Sequence, residues 1–331
     1  MVLITILGIS IGYSSLNSDL RISGEATVKS MNAKNKILAD NGGPEFIESK
    51  GIPDFSKTAI TNEGMFSTLD NDGTSYYYRG AVENNYLMFA DYCWRIIRVN
   101  GDGSIRLIYD GNMCHENGTV TSDSMVKVSQ RYNSISNRSE YAGWKYVLDT
   151  QRPDNINIGT DIGIKVDTDN WYSSNLSSYE SLIADGKYCN DRNTKSGQTW
   201  SSTPTYRFNY SGLVRAAETF APTLICNNEL DLYIQKVGLL TADEIILAGG
   251  KWNTKNSNYY LYNGYTYWTM TPSYWNVNIG AVDVICLEST GVIATHQLTN
   301  SSPGLRPVIN LKKDIILSGN GTIKDPYRVV S

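Results

Sequence analysis

At 331 residues, the chain has room for two units, or for one large unit with an extension. A 41% hydrophobic share supplies a sizeable core, while charged residues, at 19%, fall below the roughly 25% of an average soluble domain, with Asn, Ser and Thr in their place. The net charge of −4 argues against a phosphate-tracking nucleic-acid binder, two histidines rule out a His-rich zinc site, and 23 Tyr and 7 Trp without Leu-rich helical patterning argue against a bundle or a coiled coil.

Val2–Tyr13, VLITILGISIGY, is apolar but too short for a membrane span of about 20 residues. It has the length of a signal-peptide core, although no Lys or Arg precedes it. Export signal or membrane anchor is the favoured reading, and a buried Ile/Val strand is the alternative. Leu20–Met31 alternates as a short strand. Asn32 to Phe55 is polar, with Gly42, Gly43, Gly51 and two prolines, and reads as a connector holding one or two helical turns. Asp70-Asn71-Asp72-Gly73 hints at a calcium loop but lacks the Glu at the twelfth position and the flanking helices, so a plain turn is favoured. Thr74–Tyr78 follows as an aromatic strand.

CWRIIRV (93–99) and SIRLIYD (104–110) form a hairpin about Asn100-Gly101-Asp102-Gly103, whose Asn-Gly and Asp-Gly steps supply positive φ. The spacing of Ile162, Val166 and Trp171 predicts a helix over Ile162–Leu176, while Lys187 to Phe220 yields no assignment. Thr241–Ala248 is the clearest helix, with Thr241-Ala242-Asp243-Glu244 as a capping box and Gly249-Gly250 as the stop. Further on, Tyr259–Tyr262 and Tyr265–Met270 read as strands about Asn263-Gly264. Ala281–Glu288, Val292–Leu298 and Gly304–Leu311 complete the sheet, and the stretch from Gly319 to Tyr327 is a last turn and edge strand.

The five cysteines show no C-x-x-C spacing, which argues against a zinc ribbon or a thioredoxin-type site. Cys189 and Cys226 are the better pair for a disulfide, closing a long Ser/Thr/Asn loop. Cys93 and Cys114 flank the hairpin, and their pairing stays open. Cys286, in AVDVICLES, is expected to be a buried thiol. Five reduced, buried cysteines are the alternative.

Tyr267-Trp268-Thr269-Met270-Thr271-Pro272-Ser273, the strand pair after it, and Gly304-Leu305-Arg306-Pro307-Val308 resemble the end of the C-type-lectin-like fold in its formylglycine-generating-enzyme branch. More closely, the chain is similar to surface proteins of gut Firmicutes. The segments that carry this likeness are Gly73–Val82, Trp94–Arg98, Cys189–Arg192, Ala221–Leu224 and Thr241–Glu244. The resemblance covers roughly residues 40–331. It implies an α+β, irregular β-rich, C-type-lectin-like domain with few short helices. Residues 1–15 are then a truncated signal or anchor segment, 16–54 a connector with a short strand, and 55–331 the lectin-like domain.

The formylglycine-generating enzymes use a pair of active-site cysteines that bind copper, and only Cys286 lies in the corresponding third of this chain. Calcium-dependent lectins carry Glu-Pro-Asn or Gln-Pro-Asp with Trp-Asn-Asp, none of which occurs here. Variable proteins of diversity-generating retroelements use the same scaffold to display Asn, Tyr, Ser and Asp on one face. The resemblance therefore implies a binding platform, with no cofactor and no metal. Its ligand is expected to be a protein or glycan on a host, phage or neighbouring cell surface. No nucleic acid is involved, membrane contact comes only through an N-terminal anchor, and the location is extracellular.

Tyr, Trp, Ser, Gly and Asn are the residue types of adaptable binding faces. Tyr274, Trp275, Asn276 and Asn278 are read as a loop after the WTMTPS strand, and Thr295, His296, Gln297, Thr299, Asn300 and Ser301 as a loop before Gly304. The lectin-like arrangement brings the two loops together, with Trp275 as the apolar anchor. Arg306 and Trp268 are expected in structural roles. The bland alternative packs Trp275 on the core and spends the Asn residues on turns. Among enzyme readings, His296 has no G-x-S-x-G nucleophile elbow to serve, and carboxylate pairs for glycoside hydrolysis are a three-dimensional question. A non-enzymatic surface binder is the leading expectation, with a degenerate or unknown enzyme of the formylglycine-generating type as the alternative.

Overall fold

Residues 31–146, 160–161, 163–201, 204–227, 232–300 and 302–330 are described by the computed structural model. Val2–Tyr13 and all but the last residue of the strand expected over Leu20–Met31 lie outside them. The expected connector instead forms two short helices, α1 (Ala33–Asp40) and α2 (Pro44–Ser49). The Asn32 side chain caps α1 by accepting from the Asn35 N–H, and Pro44 opens α2. Ala33, Ile37, Leu38 and Ile47 are buried in the main core. The segment thus belongs to the domain, and its polar outer face is what reads as a linker.

In chain order the first strands are β1 (Asn62–Asp70), β2 (Gly73–Gly80), β3 (Tyr86–Phe89), β4 (Tyr92–Val99) and β5 (Ile105–Gly111). The short strands β6 (Lys145–Tyr146) and β7 (Thr160–Asp161) precede helix α3 (Gly163–Asn175), close to the expected span. The unassigned region holds β8 (Gly186–Cys189), β9 (Phe208–Asn209) and α4 (Ser211–Val214), followed by a π turn over Arg215–Thr219. Then come β10 (Leu232–Gln235), β11 (Val237–Gly238), α5 (Ala242–Leu247), β12 (Tyr267–Asn276), β13 (Ala281–Leu287) and β14 (Ile293–Gln297). The last are β15 (Val308–Leu311), β16 (Ile316–Ser318) and β17 (Tyr327–Val330). The architecture is α+β and β-rich, as expected.

The main sheet runs β11–β15–β5–β4–β3–β17–β16, with β1 joined through β2 to β4. Its centre is the expected hairpin of β4 and β5. Ile97 is the extra residue of a bulge, after which Arg98 stands directly opposite Arg106. At the hairpin tip, a Cβ on Gly101 would meet Asp70 Oδ1 at 2.4 Å and the Gly73 nitrogen at 2.6 Å. Only glycine lets this turn lie against the turn between β1 and β2.

A second sheet, β14–β13–β12–β9, packs its apolar side chains into the same core. β12 continues through Pro272 because the pairing register shifts on both sides of it. Tyr259–Tyr262, expected as a strand, is a turn, with the Tyr262 N–H donating to the Tyr259 carbonyl. Its buried Tyr259, Tyr260 and Leu261 fill the core instead of pairing in a sheet.

Buried arginines tie the layers together. Arg306, 1% exposed, donates from Nε to the Tyr109 carbonyl at 2.7 Å, from Nη1 to the Leu261 carbonyl at 2.8 Å, and from Nη2 to Asp110 Oδ1 at 2.7 Å. Arg79 donates to the Ile246 and Leu247 carbonyls at the C-terminus of α5 and to Glu63. Arg95 donates to Asn85, Asn117 and the Val82 carbonyl. Trp268 is fully buried and donates to the Gln130 carbonyl at 2.6 Å.

Two disulfides, Cys93–Cys114 and Cys189–Cys226, leave Cys286 as a buried free thiol. Such bridges fit an oxidising compartment. Among the described residues, no helix is long and apolar enough to cross a membrane.

Candidate functional site: a polar cleft floored by Arg98

The binding face expected from sequence lies at one end of the second sheet, with most of its residues on strands and Asn278, Thr299 and Asn300 in turns. Tyr274, Trp275 and Asn276 are the last residues of β12, and Thr295, His296 and Gln297 lie within β14. The structure does bring the two groups near each other, because β13 pairs with both strands and sets Asp283 opposite Gln297. Trp275, however, is 4% exposed and belongs to the main core, with Val282 as its cross-strand partner. It cannot act as an exposed anchor. Strand alternation turns Tyr274 outward instead, where Arg207 stacks over its ring at 4.3 Å.

The polar groups here mostly serve one another. Asn276 Oδ1 accepts from the Asn278 N–H in the β12–β13 turn, at 3.2 Å. His296 lies between Glu288 Oε1 at 3.1 Å and Asn300 Nδ2 at 3.0 Å. Gln297 donates to Ser136, and Thr295 to the Val284 carbonyl. Thr299 is half-buried, and Ser301 lies outside the described residues.

A second site lies at the other sheet. The β4–β5 hairpin, the turn between β1 and β2, β8, the stretch around Thr223–Ile225, and the start of α5 line a narrow cleft. Segments far apart in sequence supply its lining, among them Asp72, Arg98, Cys189 and Asp191, Thr223 and Leu224, and Thr241, Asp243 and Glu244.

The floor is a charge cluster. Two arginines opposite one another on neighbouring strands repel, so the Arg98–Arg106 pair needs a counter-charge. Glu244 supplies it. The capping box of α5 holds this carboxylate in place, with the Thr241 N–H donating to Oε2 at 2.9 Å. Glu244 Oε1 is ion-paired with Arg106 Nε and lies 3.5 Å from Arg98 Nη2. Burial works to raise the Glu244 carboxyl, but Arg106 and Arg98 outweigh it and hold it below its ordinary value. Arg106 also donates to the Lys187 and Leu239 carbonyls.

Arg98 differs from the other buried arginines. It is 8% exposed, and its Nε and Nη1 are buried without a hydrogen-bond partner. Burial pushes its pKa down, against the pull of Glu244. Beside it, Asn100 donates to Ser104 and Asn310, while its own buried Oδ1 accepts nothing. Two donors and one acceptor buried beneath the cleft are thus left unused by the fold.

The walls, by contrast, are tied down. Arg215, on the π turn, forks onto Asp243 at 2.7 and 2.8 Å and reaches Asp191 at 2.8 Å. Burial disfavours its charge, but the two carboxylates outweigh that and raise its pKa. Lys187 pairs with Asp72, and Asp70 accepts from the Gly101 N–H at 2.8 Å. The Cys189–Cys226 bridge fixes one rim, where Asn71 Oδ1 accepts from the Cys226 N–H at 2.8 Å.

Sequence reasoning did not select Arg98, Arg106 or Asn100 as site residues. The available signal was two arginines inside strands whose other residues are almost all apolar, because an ionised group is placed there only with a partner or a task. Compared with known proteins, the chain matches no family model, no curated protein and no solved structure.

Proposed function

We propose that the chain is a non-enzymatic, adhesin-like ligand-binding domain working outside the cytoplasm, and that its ligand enters the cleft floored by Arg98. The observation that carries this reading is the pair of buried, unpartnered Arg98 donors beside the unpartnered Asn100 oxygen. A buried polar group without a partner costs about 1–3 kcal/mol, and more when charged. A fold that satisfies Arg79, Arg95 and Arg306 at all their nitrogens, and ion-pairs Arg106 with Glu244, leaves Arg98 unsatisfied beneath the cleft.

Two disulfides support the extracellular setting. The cysteine-oxidising alternative is not favoured: four cysteines are bridged, and burial pushes the remaining Cys286 thiol well above its ordinary pKa, away from the reactive thiolate. The C-type-lectin-like relationship belongs to the same proposal, supported by the buried Arg306 of the Gly304–Val308 motif.

The test is saturable attachment of the purified protein to intact epithelial and bacterial cells. The expected result is loss of attachment in Arg98→Met and retention in Tyr274→Ala. Attachment by Arg98→Met at wild-type affinity would overturn the assignment of the cleft.

A further inference from the structure

We propose that an open cleft between Tyr92, Trp171 and Asp123 takes a quaternary ammonium group, such as the head of choline. It lies at the opposite end of β4 from Arg98, about 20 Å along the strand, and does not depend on the reading of the Arg98 cleft.

The sequence builds an aromatic wall there. Tyr92 and Trp94 alternate onto one face of β4, and Tyr109 stands opposite Trp94 on β5. Trp171 reaches the same place from α3. Ring centroids lie 5.4 Å apart for Tyr92 and Tyr109, 5.6 Å for Tyr109 and Trp171, and 6.2 Å for Tyr92 and Trp171, and no two of these rings are parallel. Fully buried Trp94 closes the back of the cluster, 5.7 Å from Tyr109 and 6.3 Å from Trp171. The Tyr92 hydroxyl donates to Asn175 Oδ1 at 2.9 Å, and Asn175 Nδ2 donates to the Trp171 carbonyl at 2.7 Å, so strand and helix are pinned before any ligand arrives. Tyr92 and Trp171 are half-buried and keep ring surface in the cleft, whose volume is about 440 Å³.

The facing wall carries a carboxylate. Asp123, in the short helical turn Ser122–Ser124, has a side chain 26% exposed and is the only charged residue of the lining. A Cβ on Gly111, at φ +124°, would come within 2.3 Å of Asp123 Oδ2, so glycine lets the carboxylate seat against the end of β5. Oδ2 accepts from the Asn112 N–H at 2.9 Å and lies 3.0 Å from His115 Nε2, while Oδ1 accepts from Asn112 Nδ2. Burial works against the charge of this carboxyl, but the bonds from His115 and Asn112 outweigh it and hold it below its ordinary value.

These groups select one kind of cation. Aromatic faces attract positive charge, most strongly where water is displaced. Three of the roughly four lone-pair positions of Asp123 are taken, so it offers charge but little further hydrogen bonding. A primary ammonium or a guanidinium brings N–H groups that this carboxylate cannot satisfy. A quaternary ammonium brings none, and Met125 and Val126 add apolar contact for its methyl groups.

The experiment follows the Trp171 indole N–H signal by nitrogen-15 NMR in the intact protein, assigned with Trp171→Phe. The probes are choline, its neutral isostere 3,3-dimethylbutanol, ethanolamine and methyl glucoside. The expected result is a saturable shift with choline and binding at least about tenfold weaker with each other probe. Asp123→Asn keeps the shape of the side chain and should weaken choline about tenfold; should that variant be destabilised, Tyr92→Leu reads the same loss from the aromatic wall. Binding of the isostere, ethanolamine or the glucoside as tight as that of choline overturns the proposal in favour of an apolar, amine or sugar ligand. Full choline affinity in the folded variants, or no shift with any probe, overturns it as well. Sedimentation with phosphatidylcholine vesicles then separates two sources of the same group. Co-sedimentation competed by free choline assigns it to a lipid, choline binding without co-sedimentation assigns it to a soluble ligand, and either supports the site.

Discussion

Replacing Arg306 with methionine removes three strong hydrogen bonds from the centre of the core and keeps most of the apolar volume. The Tyr109 and Leu261 carbonyls lose their donor, and Asp110 loses its cation while 5% exposed. Breaking a buried pair from one side costs about 3–5 kcal/mol, and each orphaned carbonyl would add about 1–3 if taken alone. These terms overlap, because a carboxylate left alone takes up a proton instead of staying charged. A net loss of about 3–5 kcal/mol is therefore expected, a large part of the roughly 5–15 that holds a typical domain.

The sign with pH follows from Asp110. Burial already pushes its carboxyl above the usual range, against the pull of Arg306 and Arg95. A pKa raised in the folded state gives stability that is present in acid and lost as pH rises through the folded value. Without Arg306 the pKa rises further, so the deficit of the variant is smallest in mild acid and grows toward neutrality. Urea unfolding at the two pH values measures both effects. An unchanged midpoint near neutrality, or a deficit larger in acid, would refute the reasoning.

Three further changes separate fold from site. Cys189→Ser with Cys226→Ser opens a 37-residue loop and should cost about 4 kcal/mol, while the 21-residue Cys93–Cys114 loop should cost about 3, both read from urea midpoints under non-reducing conditions. Trp275→Ala should lose about 3–5 kcal/mol because the indole is core, and a melting temperature equal to wild type would show that it is not. Gly101→Ala should push the hairpin tip off the turn between β1 and β2, whose backbone its Cβ would meet, lowering the melting temperature and weakening cell attachment. Unaltered attachment would show that the hairpin tip does not shape the cleft.

The local elements were legible wherever chemistry is local. Asn100-Gly101-Asp102-Gly103 sets a hairpin by its backbone preferences alone, and Thr241 with Glu244 sets a helix start. The Cys189–Cys226 pair was favoured because it closes a long polar loop, against the alternative of reduced cysteines, and the burial of Arg306 was readable from the apolar residues around it. Trp275 was not, because a tryptophan among Ser, Tyr and Asn reads as exposed until the strand is known to continue through Pro272. From there, alternation puts Tyr274 outside and Trp275 inside. Tyr259–Tyr262 reads as a strand by composition but finds no strand to pair with, so its rings became core filling. The cleft was the least legible feature. Its residues come from eight stretches between Asp70 and Thr271, and its signature is an unmet hydrogen-bonding need, which exists only once every other donor has been assigned.

Arg98→Met is the most direct test of the claim that the cleft serves a ligand and not the fold. Glu244 keeps Arg106 in this variant, and a buried cation with two idle donors is removed. Unfolding free energy should therefore stay equal to wild type or rise by about 1 kcal/mol, while cell attachment is lost. A variant destabilised as much as Arg306→Met would place Arg98 among the structural arginines. A stable variant that still attaches would move the site elsewhere on the molecule.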